Sequence, residues 1–390
     1  MVCHVSRPVR RSSGRFTAAG LAVVAMLTAA CTSPAKPTVA STAGSASSST
    51  PITSPPIDQL VAAAKNEKDL VIYGNPPADN FTPIVTAFNA AYPGINVQFT
   101  NLGDNESFAK YAAEHAQGAR TADILIASGA GPWVNGATQG VPKNDFVPAG
   151  LSNFPAYAQQ LPGVFVMSPE PILAAWSPKL IPSDQTPTSY AQLVASVQSN
   201  PNVFAHKLVS YTIDNPLGYA AIYGMEQIAG KDTVNGWLDV LGPNTKPFGE
   251  GLTAMTEVLS GGSSFDWTVS GLAKGVLKSL IASGAAQDGY MTDATPIVPR
   301  GIAVTQGASS PASAELFLDF LFSQAGQDAM CKAGFTAYMN NYQPVDGCIG
   351  NLADVYSHVN EKNTFVVPFS QAVLDAQTDI TARWNKAFGR

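Results

Sequence analysis

Between Asp69 and Ala127 three short apolar strands are separated by two helical segments, and that order leaves few folds open. Asp69-Leu-Val-Ile-Tyr73 reads as a strand closed by Gly74-Asn75-Pro76-Pro77, after which Phe81, Ile84, Val85 and Phe88 fall at helical spacing. Tyr92-Pro93-Gly94 stops that helix. Ile95, Val97 and Phe99 alternate as a second strand, residues 106–117 are helical, and Asp123–Ala127 is a third strand running into Ser128-Gly129-Ala130-Gly131. A βαβαβ order implies parallel strands joined by right-handed crossovers, and open sheets of this kind bind ligands beyond the carboxyl ends of their strands. Gly74-Asn75 and Ser128-Gly129 are two such ends.

The alternation resumes after Pro182. Thr188–Val197 is helical, Leu208–Ile213 is a strand that includes Thr212, and Asp214-Asn215-Pro216 caps a helix running to Ile228 with proline in its first turn. Helices follow near Val234–Leu241 and Leu252–Leu259, then a strand Phe265–Val269 meets Ser270-Gly271. Ile297–Thr305 is extended, and residues 311–333 form one amphipathic helix with Leu316, Phe317, Phe320 and Leu321 on its apolar side. The roughly 330 residues from Ile57 onward exceed what one hydrophobic core usually serves. The expected fold class is therefore α/β, in two lobes, with no internal repeat.

The first thirty residues have the layout of an export leader. Arg7, Arg10, Arg11 and Arg15 precede an uncharged run from Phe16 to Leu27, which is too short for a comfortable bilayer span. Leu27-Thr28-Ala29-Ala30-Cys31 resembles the lipobox of bacterial lipoproteins, with Thr28 where Leu is more usual; the resemblance implies cleavage before Cys31 and acylation of its thiol. Arg10-Arg11 is a poor twin-arginine signal because Ser13 stands where that signal prefers a large apolar residue. Residues 32–56 are almost entirely Ser, Thr, Ala and Pro, too polar to offset their ordering entropy, and read as a tether.

Charge narrows the partners. Losing four arginines from 22 basic residues leaves 18 against 28 acids, a net −10 for the mature chain. Nucleic acid is excluded as a partner, because phosphate binding needs a basic surface. Attachment to anionic lipid by charge is equally unfavourable, so the expected location, the outer face of the cytoplasmic membrane, depends on acyl chains at Cys31. With Cys3 in the leader and Cys31 acylated, Cys331 and Cys348 remain as an even pair in an oxidising compartment and are expected to form a disulfide.

Four stretches resemble the periplasmic-type solute-binding proteins of ABC importers, in the two-lobed class that includes ferric-iron, thiamine, polyamine and phosphonate binders. They are Leu70–Gly74 with Tyr92–Val97; Ala122–Leu125; Gly230-Lys231 to Trp237 with Leu241 and Asn244–Phe248; and Pro299-Arg300-Gly301-Ile302-Ala303-Val304 through Gly326-Gln327. The resemblance spans about residues 68–335 of the chain. It implies the type II binding fold, each lobe a mixed sheet flanked by helices. Lobe 1 is expected from residues 57–173 and 299–390, lobe 2 from 174–298, with hinge crossings near Ile172–Trp176 and Ile297–Val304. It also implies ABC permease subunits as partners, a monomer, a small polar or anionic solute held between the lobes, and no catalysis; a ligand-sensing lipoprotein that feeds no transporter is the alternative from another class.

The candidate site follows from both lines of reasoning. Ser128-Gly129 and Asp214-Asn215-Pro216 lead from strands into helices, where free N–H groups and the positive dipole end favour an anion or a polar oxygen. Ser, Asp and Asn are equally ordinary helix caps. The resemblance adds Asn75, Trp267, Thr268, Ser270 and Gly271 at strand ends, and the candidate set is completed by Trp176, Thr212, Tyr219 and Asp293. Trp133, Trp176 and Trp267 suit stacking on a ring or cation, or core packing. Arg300 suits an anionic solute or a structural ion pair. Ferric-iron relatives supply adjacent tyrosines where this chain has Trp-Thr-Val-Ser, and no Tyr-Tyr pair occurs; iron stays open through Tyr73, Tyr219 and Tyr290. No cofactor or metal site is assigned. His115, His206 and His358 belong to no catalytic pattern, and Ser33-Pro-Ala-Lys36, which has SxxK spacing, lies in the tether.

Overall fold

The computed structural model describes residues 54–67 and 69–390. The leader, Cys31 and nearly all of the tether lie outside the described residues. Ser54, assigned to the tether, is already tied to the body: its hydroxyl donates to Asp319 Oδ2 at 2.7 Å, and the Pro56 carbonyl accepts from Gln59 at the start of the first helix. Among the described residues no helix is long and apolar enough to cross a membrane.

The first part of the body follows the expected alternation. Helix α1 (Ile57–Ala64) precedes β1 (Asp69–Gly74), α2 (Ala78–Ala91), β2 (Asn96–Asn101), α3 (Asp104–Ala116), β3 (Ile124–Ala127) and α4 (Ala130–Thr138). Strands β2, β1 and β3 are parallel, with Asp69 opposite Asn96 and Ile72 opposite Ile124. β2 lies at the edge and exposes alternate residues, whereas β3, covered on both faces, is apolar throughout.

Next come β4 (Gln159–Leu161) and the long β5 (Val164–Trp176), then α5 (Tyr190–Ser199), α6 (Pro201–Phe204), β6 (Leu208–Tyr211), α7 (Pro216–Ala229), α8 (Lys231–Leu241), β7 (Thr245–Phe248), α9 (Gly251–Leu259), β8 (Phe265–Ser270), α10 (Lys274–Ala282), β9 (Gln287–Gly289) and β10 (Thr295–Val304). Capping sets several boundaries. Ser189 Oγ accepts from Gln192 N to open α5, and Gly230, at φ +86°, turns the chain sharply between α7 and α8. The sheet runs β2-β1-β3-β10-β5-β8-β6-β7, with β4, β9 and the later strand Thr364–Val366 pairing off this path. β10 lies antiparallel to both β3 and β5, placing Ile302 opposite Ile126 and Val298 opposite Glu170. β5 in turn pairs β8, Ile172 opposite Ser270. β5 and β10 are thus the two strands through which one half of the sheet continues into the other.

The chain closes with α11 (Pro311–Leu321), α12 (Gln324–Lys332), β11 (Thr336–Ala337), β12 (Gly350–Asn351), α13 (Leu352–His358), β13 (Thr364–Val366), α14 (Gln371–Asp375) and α15 (Gln377–Ala387). The single helix expected over 311–333 is two. Ser323 leaves the helical conformation and its hydroxyl accepts from Gly326 N, so a new N-terminus begins there. Cys331 and Cys348 are bonded, their Cα atoms 4.8 Å apart.

Two large apolar clusters fill the body. One centres on Phe81, Phe88 and Phe317, the last two rings meeting edge to face at 4.9 Å. The other holds Tyr190, Trp237, Trp267 and Trp384, with Tyr190 stacked on Trp237 at 5.1 Å. Ile380 and Trp384 of α15, grouped by sequence with the first lobe, pack in this second cluster against α7 and α8.

Candidate functional site

The ends of β1 and β3 meet as the alternation predicts. Asn75 Nδ2 donates to Ser128 Oγ at 3.0 Å, and Asn75 Oδ1 accepts from Arg300 Nη1 of β10. Arg300 is 3 % exposed, and Glu170 on β5 is wholly buried. The Arg300 Nε lies 3.7 Å from Glu170 Oε1, close enough to attract and too far to donate. Burial pushes the Glu170 carboxyl up to about 7 against the pull of Arg300. Asp266 on β8 is likewise pushed up to about 7 by burial, opposed by the Thr268 N–H that donates to it at 3.0 Å.

The two amides that lead into α4 are not free. Asp104, the first residue of α3, accepts from Ser128 N at 3.1 Å and from Gly129 N at 2.9 Å. Its carboxyl is raised by burial, opposed by these two N–H groups and by Arg300. A carboxylate of the chain itself therefore takes the two amides that lead into α4. The start of α7 is capped in the same sense, since Asn215 Oδ1 accepts from Leu217 N at 2.8 Å while its Nδ2 donates to Gly249 O at 2.8 Å.

Beside this polar centre is a cavity of about 260 Å³. Ser128 and Gly129 form one wall, Asp214, Pro216 and Tyr219 the facing one, Val298 and Pro299 lie between, and Phe369, Leu374 and Gln377 close it. Position 129 is closely surrounded: a Cβ there would sit 3.3 Å from Asp104 Oδ2, Pro132 and Pro216 alike. A wider hollow of about 620 Å³ beside Ser54, Phe154 and Pro155 has none of these strand ends on its walls.

Of the residues singled out by sequence, Ser128, Gly129 and Tyr219 line the cavity, and Asn75 joins them through Ser128 and Arg300. Tyr219 donates its hydroxyl to the Val373 carbonyl. Ser270 accepts from Leu272 N at 3.4 Å, and Gly271 packs so tightly on Pro171 that a Cβ would come within 2.6 Å of its ring. Thr212 is half-buried and its N–H donates to Phe248 O at 2.8 Å. The remaining candidates make contacts within the protein. Trp267 is 1 % exposed and donates Nε1 to Thr245 at 3.1 Å; Trp133, also buried, donates to the Ala127 carbonyl at 2.9 Å. Trp176 stacks on Phe265 at 5.8 Å, and Asp293 caps α5 by accepting from Tyr190 N and Ala191 N at 2.9 and 3.0 Å.

Sequence reasoning missed Glu170, Asp104 and Asp266. Glu170 had a signal: it is the single charge in a thirteen-residue strand that is apolar apart from Ser168, and it stands between Pro169 and Pro171. Asp104 opens a helix expected to begin at 106, and a first-turn carboxylate is too common there to stand out.

No curated protein matches the sequence. A substrate-binding protein of an ABC transporter from Agrobacterium tumefaciens has a TM-score of 0.71 at 17% identity, covering 84% of this chain and 97% of its own. Iron-bound HitA from Pseudomonas aeruginosa has a TM-score of 0.65 at 18% identity, covering 82% and 99%. AfuA from Actinobacillus pleuropneumoniae, with fructose-6-phosphate bound, also has a TM-score of 0.65, at 17% identity, covering 83% and 99%. The fold is that of a type II periplasmic binding protein. Residues 74–328 match the bacterial extracellular solute-binding protein family, and the chain belongs to it. The family is one of binding proteins, not of enzymes.

Proposed function

We propose that the chain is the solute receptor of an ABC importer, closing two lobes on a small polar solute and delivering it to a membrane permease. The observation that carries this reading is the convergence of the β1 and β3 ends with Arg300 of β10 and Glu170 of β5 on one buried polar centre, beside a cavity between the starts of α4 and α7. At about 260 Å³ the cavity is just below the ~300–1,000 Å³ typical of small-molecule pockets, which favours a small solute. The lobes are taken as residues 57–173 with the chain from 299 onward, and 174–298, with α15 riding on the second. Cys31 is read as the acylated residue that holds the receptor at the membrane; a Cys31→Ser chain should then leave the detergent phase in a phase-separation assay, and its mature mass should lack acyl chains.

Ferric iron is the weaker reading. Tyr73 donates to Glu114 at 3.0 Å, Tyr290 to Asp354 at 2.9 Å and Tyr219 to Val373 O, and burial raises all three hydroxyls away from the phenolate that iron would need. Among the described residues no three His, Cys, Asp or Glu side chains gather as a metal site.

The test is native mass spectrometry of protein purified without refolding, followed by calorimetry with what is found. A retained small solute that compacts the protein in solution scattering is expected. No retained solute, with no heat from oxyanions, phosphonates, amines, thiamine or iron, would overturn the reading.

A further inference from the structure

The C-terminal segment builds a wall of the cavity that the strand ends do not account for. After β13 the chain passes Phe369, and α14 brings Val373 and Leu374 to the same cavity. α14 is tied to α7 by the Tyr219 hydroxyl, which donates to the Val373 carbonyl. Behind it, α15 is held by ion pairs of Arg383 with Glu226 of α7 and of Asp379 with Lys231 of α8, at 2.5 and 2.9 Å. Leu374 also reaches α4, its Cδ2 lying 3.6 Å from the point that a Cβ on Gly131 would take. That one side chain therefore touches the space between the two helices whose starts face each other, and it lies beyond residue 328, where the family match ends.

The cavity has walls of two kinds. Val298, Phe369 and Val373 are at most 3 % exposed, so its inner side is apolar. Asn105, Asn135, Asp214 and Gln377 are exposed and stand at its margin. The polar groups further in are already paired: Ser128 Oγ accepts from Asn75, the Tyr219 hydroxyl donates to Val373 O, and the Phe369 N–H donates to Gln160 Oε1 at 3.1 Å. A sugar or a bare ion, polar on every side, would lose water against the apolar wall and gain no partner there. An apolar group in the same place gains from leaving water, while a polar group on the same molecule stays within reach of the amides and the carboxylate at the margin.

Resting on the receptor reading above, we infer that the solute is an amphiphile, with a compact apolar body seated against α14 and one polar head at the margin, and that Leu374 sets the size of body that fits. Branched or aromatic acids, amides and amines have this chemistry; sugar phosphates, inorganic oxyanions and metal ions lack it.

The test is calorimetry on the mature chain with three series of probes, each keeping one head and enlarging the body: acetate, isovalerate and phenylacetate; acetamide, isovaleramide and phenylacetamide; methylamine, isoamylamine and phenethylamine. In whichever series binds, the branched member is expected to bind about 10- to 100-fold tighter than the shortest one, at roughly fourfold for each buried CH₂. Leu374→Ala should move the preference by about 10-fold from the branched towards the phenyl member, because the cavity widens, whereas Leu374→Met, which keeps the volume, should leave it in place. If Leu374→Ala fails to fold, the order of the three bodies in wild type decides. A shortest member that binds as tightly as the branched one, or a preference unchanged in folded Leu374→Ala, overturns the inference. If no probe binds, the solute retained in native mass spectrometry decides. A retained sugar, oxyanion or metal ion overturns this inference and leaves the receptor reading intact, a retained amphiphile supports both, and no retained solute overturns both.

Discussion

Removing the charge of Glu170 should make the empty protein more stable above neutral pH. Burial raises its carboxyl from 4.5 to about 7, so the folded state holds a proton that the unfolded chain has lost across that window. Where the folded state binds more protons, stability falls as pH rises. At 1.36 kcal/mol per pH unit, the full rise from 4.5 to about 7 corresponds to about 3 kcal/mol, present below pH 4.5 and lost as pH passes 7. Asp266, raised from 3.8 to about 7 by burial, acts with the same sign. Glutamine reproduces the neutral form and keeps its shape. Urea unfolding of the solute-free protein should give similar stability for Glu170→Gln and wild type near pH 5, and an advantage of about 3 kcal/mol for the variant near pH 8, with the slope in urea unchanged. A variant less stable than wild type near pH 8 would refute the reasoning, because the pair with Arg300 would then outweigh the desolvation of the carboxylate. Wild-type stability that rises between these two pH values would refute it equally.

Three further outcomes are expected. Asp123 is wholly buried and accepts from Val71 N, Ser309 N and Ser310 N at 2.8 to 2.9 Å and from both Arg120 Nη atoms at 2.7 and 3.0 Å; Asp123→Asn turns an amide donor against these donors and should cost about 3 kcal/mol in thermal or urea unfolding, a loss under about 1 kcal/mol contradicting that role. Reducing Cys331–Cys348, which are 17 positions apart, should cost about 3 kcal/mol, and the double serine variant should show the same loss without reductant; no shift in its unfolding midpoint would mean that the bond is thermodynamically idle. Lys274 Nζ on α10 donates to Asp354 Oδ2 on α13 at 2.7 Å, with Tyr290 on the same oxygen at 2.9 Å, so Asp354→Asn should weaken the α10–α13 contact by about 1 kcal/mol in urea or thermal unfolding; an unchanged midpoint would show that the pair is idle.

Most of the strands and helices around the site were legible because each follows from its own residues. β1 and β3 are apolar runs bounded by glycine or polar turns, α2 shows its 3.6-residue period in Phe81, Ile84 and Phe88, and Asn215-Pro216 starts α7 where a cap and proline predict it. Where a segment is buried on every side, periodicity has nothing to report. Residues 313–321 of α11 are all buried, so the apolar pattern runs smoothly into α12 and only the Ser323 cap reveals the break.

By itself, then, the sequence determined the alternating order, the strand ends that face one another and the type II fold to which they belong. The chemistry at those ends was decided by the tertiary structure alone. Ser128 and Gly129 read as a free helix start until Asp104, 24 and 25 positions earlier, is folded onto their amides. Arg300 reads as either a ligand group or a strut until β10 sets it against Asn75, 225 positions away, and beside Glu170. The physical reason is that a helix start or a charged side chain takes its role from whichever partner satisfies it, and those partners come from strands and helices distant in the chain.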